Sequence, residues 1–336
     1  MSEFRVGITA DVLSSSGEPI FGREVLRLLD AEGITWEYMT QEPGGVTPAQ
    51  AARYDAVCAM LTRVTPASLA GADRRLKLIA RFGVGYDTID VPACTAAGVL
   101  LTIAPDGVRR PVATSALTFV LMLAQKVLIK DRLTRTGRWG EKLDYIGTGL
   151  TGRTLGSIGL GNIGAELFRL ARPLEMNGIA HDPVADPAVA AELGVRLVDL
   201  ETLFREADFL AVNCPLNEAT RGLVSAHLLG MMKPSAYLIN TARGPIVDEH
   251  ALHDALASGR LAGAGLDVFE EEPTPASNPL LRLENVIVTP HGICFTDECM
   301  RRLAESAFRA ALDVAAGRTP PYVVNSQALA NRPQRR

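Results

Sequence analysis

The chain has 336 residues, and at roughly 150 residues per domain that length predicts two domains. Hydrophobic residues make up 47% and charged residues 21%, enough apolar material for two ordinary cores, which excludes disorder as the main state. The 34 lysines and arginines stand against 38 acidic residues, a net charge of −4, so no positive field gathers phosphate backbones and nucleic acid is excluded as the main partner.

In chain order, the opening MSEFRVGITAD enters a strand-like run at once and lacks the apolar region and cleavage site of a secretory signal, so a cytoplasmic location is expected. Strands are predicted at 5–9, 35–38, 56–59, 77–80 and 99–102, separated by helical stretches such as 23–31 and 91–97. This segment alone makes a flavodoxin-like domain. Pro105, Asp106 and Gly107 then break the pattern, and an apolar segment from Val112 toward Lys130 reads as one long buried helix. The longest charge-free apolar stretches fall short of the roughly 18 residues a membrane span needs, so no membrane partner is expected. Six further strands are predicted at 154–158, 178–180, 209–212, 237–240, 264–268 and 286–289, a number that suits a doubly wound nucleotide-binding sheet. The polar tail 330–336 is expected to be disordered. Cys58, Cys94, Cys214, Cys294 and Cys299 are odd in number and scattered, which predicts reduced thiols. No histidine and carboxylate cluster has metal-ligand spacing, so no metal is expected.

Directly after the apolar run 154–158 come Gly159, Leu160, Gly161, Asn162, Ile163 and Gly164. One glycine permits a tight turn, the next admits a pyrophosphate to the backbone, and the last lets helix pack on strand. Ile163, Leu167, Leu170, Ala171 and Leu174 then recur at helical spacing, completing strand, turn and helix. Asp182 lies 18 residues beyond Gly164, where a carboxylate accepts bonds from ribose hydroxyls and repels a 2′-phosphate. Residues 183–187 contain no Arg or Lys, so NAD is favoured over NADP. The same aspartate also reads as the opener of a turn before Pro183.

Ligands of open parallel sheets bind outside the carboxyl ends of the strands. Three late strands run into polar residues there: Thr241, Ala242 and Arg243; the acidic run Glu270, Glu271 and Glu272 before Pro273; and Pro290 and His291. An arginine can pair with a substrate carboxylate, an imidazole can move a hydroxyl proton as hydride leaves, and a carboxylate can orient the imidazole. Taken singly, Arg243 also reads as a helix cap, the acidic run as a solvated loop and His291 as a structural histidine. Together, beside a nucleotide turn, they point to catalysis. His227, His250 and His253 lie in helical stretches and His181 adjoins Asp182, so only His291 follows a late strand.

The segments RFGVGYDTIDV (81–91), TLGSIGLGNIG (154–164), LINTARGPIVDEHAL (238–252), AGAGLDVFEEEP (262–273) and NVIVTPH (285–291) resemble the D-isomer-specific 2-hydroxyacid dehydrogenases, over essentially the whole chain. The resemblance implies an α/β protein of two Rossmann-like or flavodoxin-like domains with parallel sheets and an active site in the cleft between them. It implies a substrate domain of residues 1–104 plus 297–336, an NAD-binding domain of 105–296 inserted between, and a homodimer joined through the long helix. Arg243, Glu272 and His291 become the catalytic residues, and Val84 and Gly85 present amides to the substrate carboxylate. Asn162 and Ile163 are assigned to the pyrophosphate, Asp182 to the ribose, and Cys214, Pro215 and Thr220 to the adenosine half. Thr241, Ala242, Asp267, His291 and Gly292 are placed near the nicotinamide.

The chain departs from the family pattern at Val108 to Thr114 and at Gly292 to Asp297. Arg109 or Arg110 is expected to meet a distal polar or anionic group of the substrate, with solvated hinge arginines as the alternative. The expected activity is NAD-linked interconversion of a small D-2-hydroxyacid and its 2-keto acid. Phosphite oxidation and an NAD-sensing corepressor of the same fold are the alternatives. A formate dehydrogenase is disfavoured, because that branch pairs glutamine with the histidine.

Overall fold

A computed structural model of the protein describes residues 3–71 and 73–331. Contacts divide the chain into two compact units, one made of residues up to Val108 together with those from Phe295 onward, the other of Arg109–Cys294. Residues 332–336 of the expected polar tail lie outside the described residues.

In the first unit five parallel strands, β1 (Phe4–Thr9), β2 (Ile34–Met39), β3 (Ala56–Ala59), β4 (Leu78–Arg81) and β5 (Leu100–Thr102), stand in the order β2-β1-β3-β4-β5. This is the flavodoxin-like order. The runs AVCA and LIAR of β3 and β4 are buried at every position, as strands covered on both faces must be, whereas edge strand β2 exposes Thr35 and Glu37 in alternation. The helix Asp297–Ala315 returns to cover one face, capped by Thr296, whose hydroxyl accepts from the Cys299 amide at 3.2 Å. Its buried Phe308 meets Phe21 and Phe82 edge to face. Past that helix, buried Asn325 accepts from the Leu101 amide at 2.8 Å and donates to Val99 O at 2.9 Å, which covers the free edge of β5. The expected helix 23–31 winds instead as a 3-10 segment, Arg23–Leu29, entered from Gly22 with no side-chain cap.

The second unit holds seven parallel strands rather than the six predicted: β6 (Thr154–Ile158), β7 (Asn177–His181), β8 (Val195–Leu197), β9 (Phe209–Val212), β10 (Tyr237–Asn240), β11 (Gly263–Leu266) and β12 (Val286–Val288). Their order is β12-β11-β10-β9-β6-β7-β8. The addition is edge strand β8, three residues of which only Val195 is buried, too short and too exposed to leave an apolar run. Strand β6 pairs with both β7 and β9, so the order reverses beside it, and the residues following β6 and β9 flank the switch point.

The long helix also differs from expectation. It begins at Pro105, whose missing amide is no loss in a first turn, and carries Pro111 inside. It ends at Ala124, and left-handed Lys126 (φ 52°) starts a second helix, Val127–Arg135, bent by 56° from the first. Ala113, Ala116, Phe119 and Val120 enter the core with Ile239 and Ile287. A Cβ on Gly265 would lie 2.6 Å from the Phe119 ring, so only glycine admits that ring against β11. Among the described residues no single helix is long and apolar enough to cross a membrane; this bent pair reaches that measure only jointly.

Candidate active site

The three glycines after β6 differ in what surrounds them. Gly159 has φ +98°, and a Cβ there would stand 3.0 Å from the Asn213 carbonyl. A Cβ on Gly164 would come within 2.3 Å of Gly159 O, whereas one on Gly161 would meet nothing within 4 Å. The outer two are therefore fixed by the turn and by helix packing, while the middle one leaves open ground before the helix Asn162–Ala171. Asp182, at the end of β7, accepts from the Leu160 amide at 2.8 Å through Oδ2 and from the Val184 amide at 3.0 Å through Oδ1. It thus opens the turn before Pro183 and also latches onto the glycine loop, and each oxygen keeps a second lone pair.

Two buried polar atoms at this sheet edge lack a partner among the described residues: Asn213 Oδ1 after β9 and Thr241 Oγ1 after β10. A buried polar atom left unpaired costs about 1–3 kcal/mol, so the edge is built to receive hydrogen-bonding groups from a ligand. The amide nitrogen of Asn213 is already used, donating to Ser157 Oγ at 2.9 Å. Asn213 was not among the sequence candidates, although it carries their signal, a polar residue directly after a buried strand. Thr220 caps its own turn, donating to Pro215 O at 2.6 Å and accepting from the Asn217 amide at 2.8 Å. Burial, with Asp182 nearby, pushes the Cys214 thiol up to about 11, so it stays protonated at neutral pH. Open glycine ground, a free helix terminus, Asp182 and the two orphaned atoms fit a dinucleotide.

The three polar strand ends are each braced from below. Buried Asn240 closes β10, donating to Arg243 O at 2.9 Å and accepting from the Ala242 amide at 3.0 Å, which folds the Thr241 to Arg243 turn. A Cβ on Gly244 would sit 1.8 Å from the Phe269 carbonyl carbon, so this turn lies hard against the loop leaving β11. Arg243 donates to Ala242 O at 2.6 Å and makes no side-chain cap on the following 3-10 turn. In the acidic run, Glu249 accepts from the Glu270 amide, and Glu272 accepts from the Phe269 amide at 2.9 Å. The other oxygen of Glu272 meets His291 Nδ1 at 2.6 Å. Burial pushes the Glu272 carboxyl up, but the His291 bond, the Phe269 amide and the charges of His291 and Arg243 outweigh it and hold it below the usual range.

His291 itself takes a left-handed backbone, φ +51°. Buried Asp267 holds it there: Oδ1 accepts from the Thr289 hydroxyl at 2.6 Å, the Gly292 amide at 2.9 Å and the Ile293 amide at 3.1 Å, and Asp267 O accepts from the His291 amide at 2.8 Å. Strain of this kind persists where surrounding bonds over-determine it. With Nδ1 engaged, Nε2 is the nitrogen left for other chemistry.

In the first unit, Val84 and Gly85 lie in the loop after β4. Arg81, buried at the strand end, donates to Phe82 O at 2.8 Å and Gly85 O at 2.7 Å, and the Ala104 amide donates to Gly83 O at 2.8 Å. With three carbonyls so occupied, the amides of Val84 and Gly85 meet no acceptor among the described residues. Successive unpaired amides form a nest for an anion. Arg81 stood inside a quoted motif without being singled out, because a buried cation that serves carbonyls leaves no distinctive spacing.

The family model for the D-isomer specific 2-hydroxyacid dehydrogenase NAD binding domain matches residues 117–292, more than half of the chain. The protein belongs to the D-isomer specific 2-hydroxyacid dehydrogenase family. A glyoxylate reductase of Korarchaeum cryptofilum is 38% identical over 282 residues, 83% of this chain and 85% of its own. A D-3-phosphoglycerate dehydrogenase of Archaeoglobus fulgidus is 37% identical over 281 residues, 84% of this chain and 53% of its own. The crystal structure of D-lactate dehydrogenase from Aquifex aeolicus, complexed with NAD and lactic acid, matches with a TM-score of 0.82 at 26% identity, over 96% of this chain and 99% of that one. NAD is the cofactor of this dehydrogenase.

Arg109 and Arg110, where the second unit begins, part company. Arg110 donates to the buried Glu166 carboxylate at 2.9 Å, on the helix that follows the glycine loop. Arg109 is exposed and has no ion pair among the described residues. Beyond His291, Ile293 packs against the core that holds Ala113 and Phe119, whereas Phe295 is exposed.

Proposed function

We propose that this dehydrogenase interconverts a small 2-keto acid and its D-2-hydroxyacid. The observation that carries the reading is the 2.6 Å contact of His291 Nδ1 with Glu272, on the sheet edge that also bears the glycine loop. Bound NADH supplies the hydride that reaches the carbonyl carbon, and NAD accepts it in the reverse direction. His291 Nε2 gives the carbonyl oxygen its proton in reduction and takes the hydroxyl proton in oxidation. Glu272, ionised at neutral pH, orients the ring and offsets its positive charge. Arg243 is assigned to pair with the substrate carboxylate and polarise the adjacent oxygen, and in the first unit the Val84 and Gly85 amides are assigned to substrate as an anion nest. Arg109, rather than Arg110, is the hinge arginine assigned to a polar group of the substrate.

For the cofactor, the amides of Asn162 and Ile163 are assigned to the pyrophosphate, with Gly159, Gly161 and Gly164 shaping the turn. Asp182 takes the ribose, and Cys214, Pro215 and Thr220 surround the adenosine half. Thr241, Ala242, Asp267 and Gly292 stand at the nicotinamide end, where the Thr241 hydroxyl lacks a partner. A second copy of the chain is assigned to the apolar surface of Leu121, Leu128, Leu143 and Ile146, all exposed on the second unit. Sedimentation should give a dimer, and Leu128→Glu with Ile146→Glu should give monomers.

The deciding assay is loss of NADH absorbance with a panel of 2-keto acids, repeated with NADPH. NADH should be preferred, and His291→Ala turning over at the wild-type rate would sink the assignment. NAD reduction by phosphite without any organic acid would move the reading to the inorganic alternative.

A further inference from the structure

Besides His291, three non-glycine residues take a left-handed backbone among the described residues: Lys126, Glu175 and Tyr322. Tyr322, at φ +58°, is the aromatic one, and a bulky side chain is least at ease in that conformation. Strain of this kind points to a residue kept for what it bonds. Tyr322 follows Pro320 and Pro321 and opens the strap along β5, where Val323 bridges Thr102 antiparallel and the Val324 amide donates to Leu101 O at 2.8 Å. Asparagine would enter that backbone with less strain, so the strap itself does not account for the tyrosine.

Two bonds of Tyr322 do. Its carbonyl accepts from the Ile103 amide at 3.2 Å, and its hydroxyl donates to Asp106 Oδ2. Between those two anchors lies buried Ala104, whose amide donates to Gly83 O at 2.8 Å. The carbonyls on either side of Gly83, those of Phe82 and Gly85, are taken by Arg81, from the strand that the loop continues. Ala104 therefore holds the middle of the loop from a separate segment. On the other side of that segment, a Cβ on Gly107 would come within 2.7 Å of the Leu303 side chain, so the turn after Asp106 is pressed against the returning helix. All of these residues belong to the first unit.

Resting on the assignment of the Val84 and Gly85 amides to the substrate, we infer that Tyr322 is a positioning residue for that nest. By bracketing Ala104 it fixes where Gly83 sits, and with it the two amides that follow. It acts through Ala104 and Gly83, with no part in hydride or proton transfer.

The test is Tyr322→Phe, which keeps the ring and removes only the hydroxyl, assayed by NADH consumption with glyoxylate, pyruvate, hydroxypyruvate and 4-methyl-2-oxopentanoate. For the acid with the highest kcat/KM, KM should rise about three- to tenfold, the worth of one hydrogen bond, with kcat unchanged and NADH binding, followed by fluorescence, retained. Tyr322→Asn, which relieves the left-handed backbone, should raise KM as much while its Tm stays at or above that of Tyr322→Phe, a pairing that a merely structural role does not produce. Asp106→Ala should reproduce the KM effect, and Tyr322→Phe with Asp106→Ala should be no worse than either alone, since both remove the same bond. A wild-type KM in folded Tyr322→Phe, or effects that multiply in the double variant, overturns the inference and leaves the dehydrogenase reading intact. Turnover of none of these acids by the unaltered protein overturns that reading and the inference with it. Should Tyr322→Phe not fold, Tyr322→Asn and Asp106→Ala decide the matter by the same KM.

Discussion

The two sheets brace their ligand-end loops with side chains of opposite sign. After β11 and β12, the buried Asp267 carboxylate draws in the amides of Gly292 and Ile293, and the His291 side chain is left to act. After β4, buried Arg81 draws in the carbonyls of Phe82 and Gly85, and the amides of Val84 and Gly85 are left to act. An internal anion consumes backbone donors, so the chemistry of that loop must come from a side chain. An internal cation consumes backbone acceptors, so the loop itself becomes the anion receptor.

Experiments that break this contrast differ in size. His291→Ala should lower kcat/KM about 10²- to 10⁴-fold, the worth of the proton-transfer group that it is proposed to be. Arg81→Met should raise KM for the 2-keto acid about 10- to 100-fold, the worth of bonds to a charged donor. A folded Arg81→Met protein with wild-type KM would show that the nest does not depend on its cation.

The pH dependence follows from Glu272. Its folded carboxyl titrates below its usual 4.5, so its contribution to stability is present above that value and is lost as pH falls through the folded one. Glu272→Gln should therefore flatten the acid limb of a Tm against pH curve below about 4.5. A limb of unchanged slope would mean that other carboxylates carry it. The smallest effects separate the hinge arginines. Arg110→Ala should lower Tm by about 2–4 °C with kcat/KM unchanged, because Glu166 loses one of its two arginines. Arg109→Ala should leave Tm alone and raise KM.

What the sequence revealed was whatever repeats or alternates. Buried strands such as β6, β9 and β10 fall where continuous apolar runs placed them, and the glycine turn and His291 sit where strand ends put them. Strand β8 was illegible because an edge strand of three residues buries only Val195. The break at Lys126 was illegible because Gln125 and Lys126 are ordinary helix formers, with no proline or glycine at the left-handed position to mark it. Asn240, Asp267 and Arg81 share a subtler difficulty. Each works by bonding backbone atoms, so its purpose shows only once the loops exist.

The insertion of one unit within the other fixes an order of events during synthesis. The NAD-binding unit is contiguous from Arg109 to Cys294 and leaves the ribosome complete, whereas Phe21 and Phe82 must wait more than two hundred residues for Phe308, and Leu101 for Asn325. A nascent chain of this dehydrogenase therefore acquires its dinucleotide-binding unit first, and the sheet that bears the Val84 and Gly85 loop gains its covering helix only after that unit has been made.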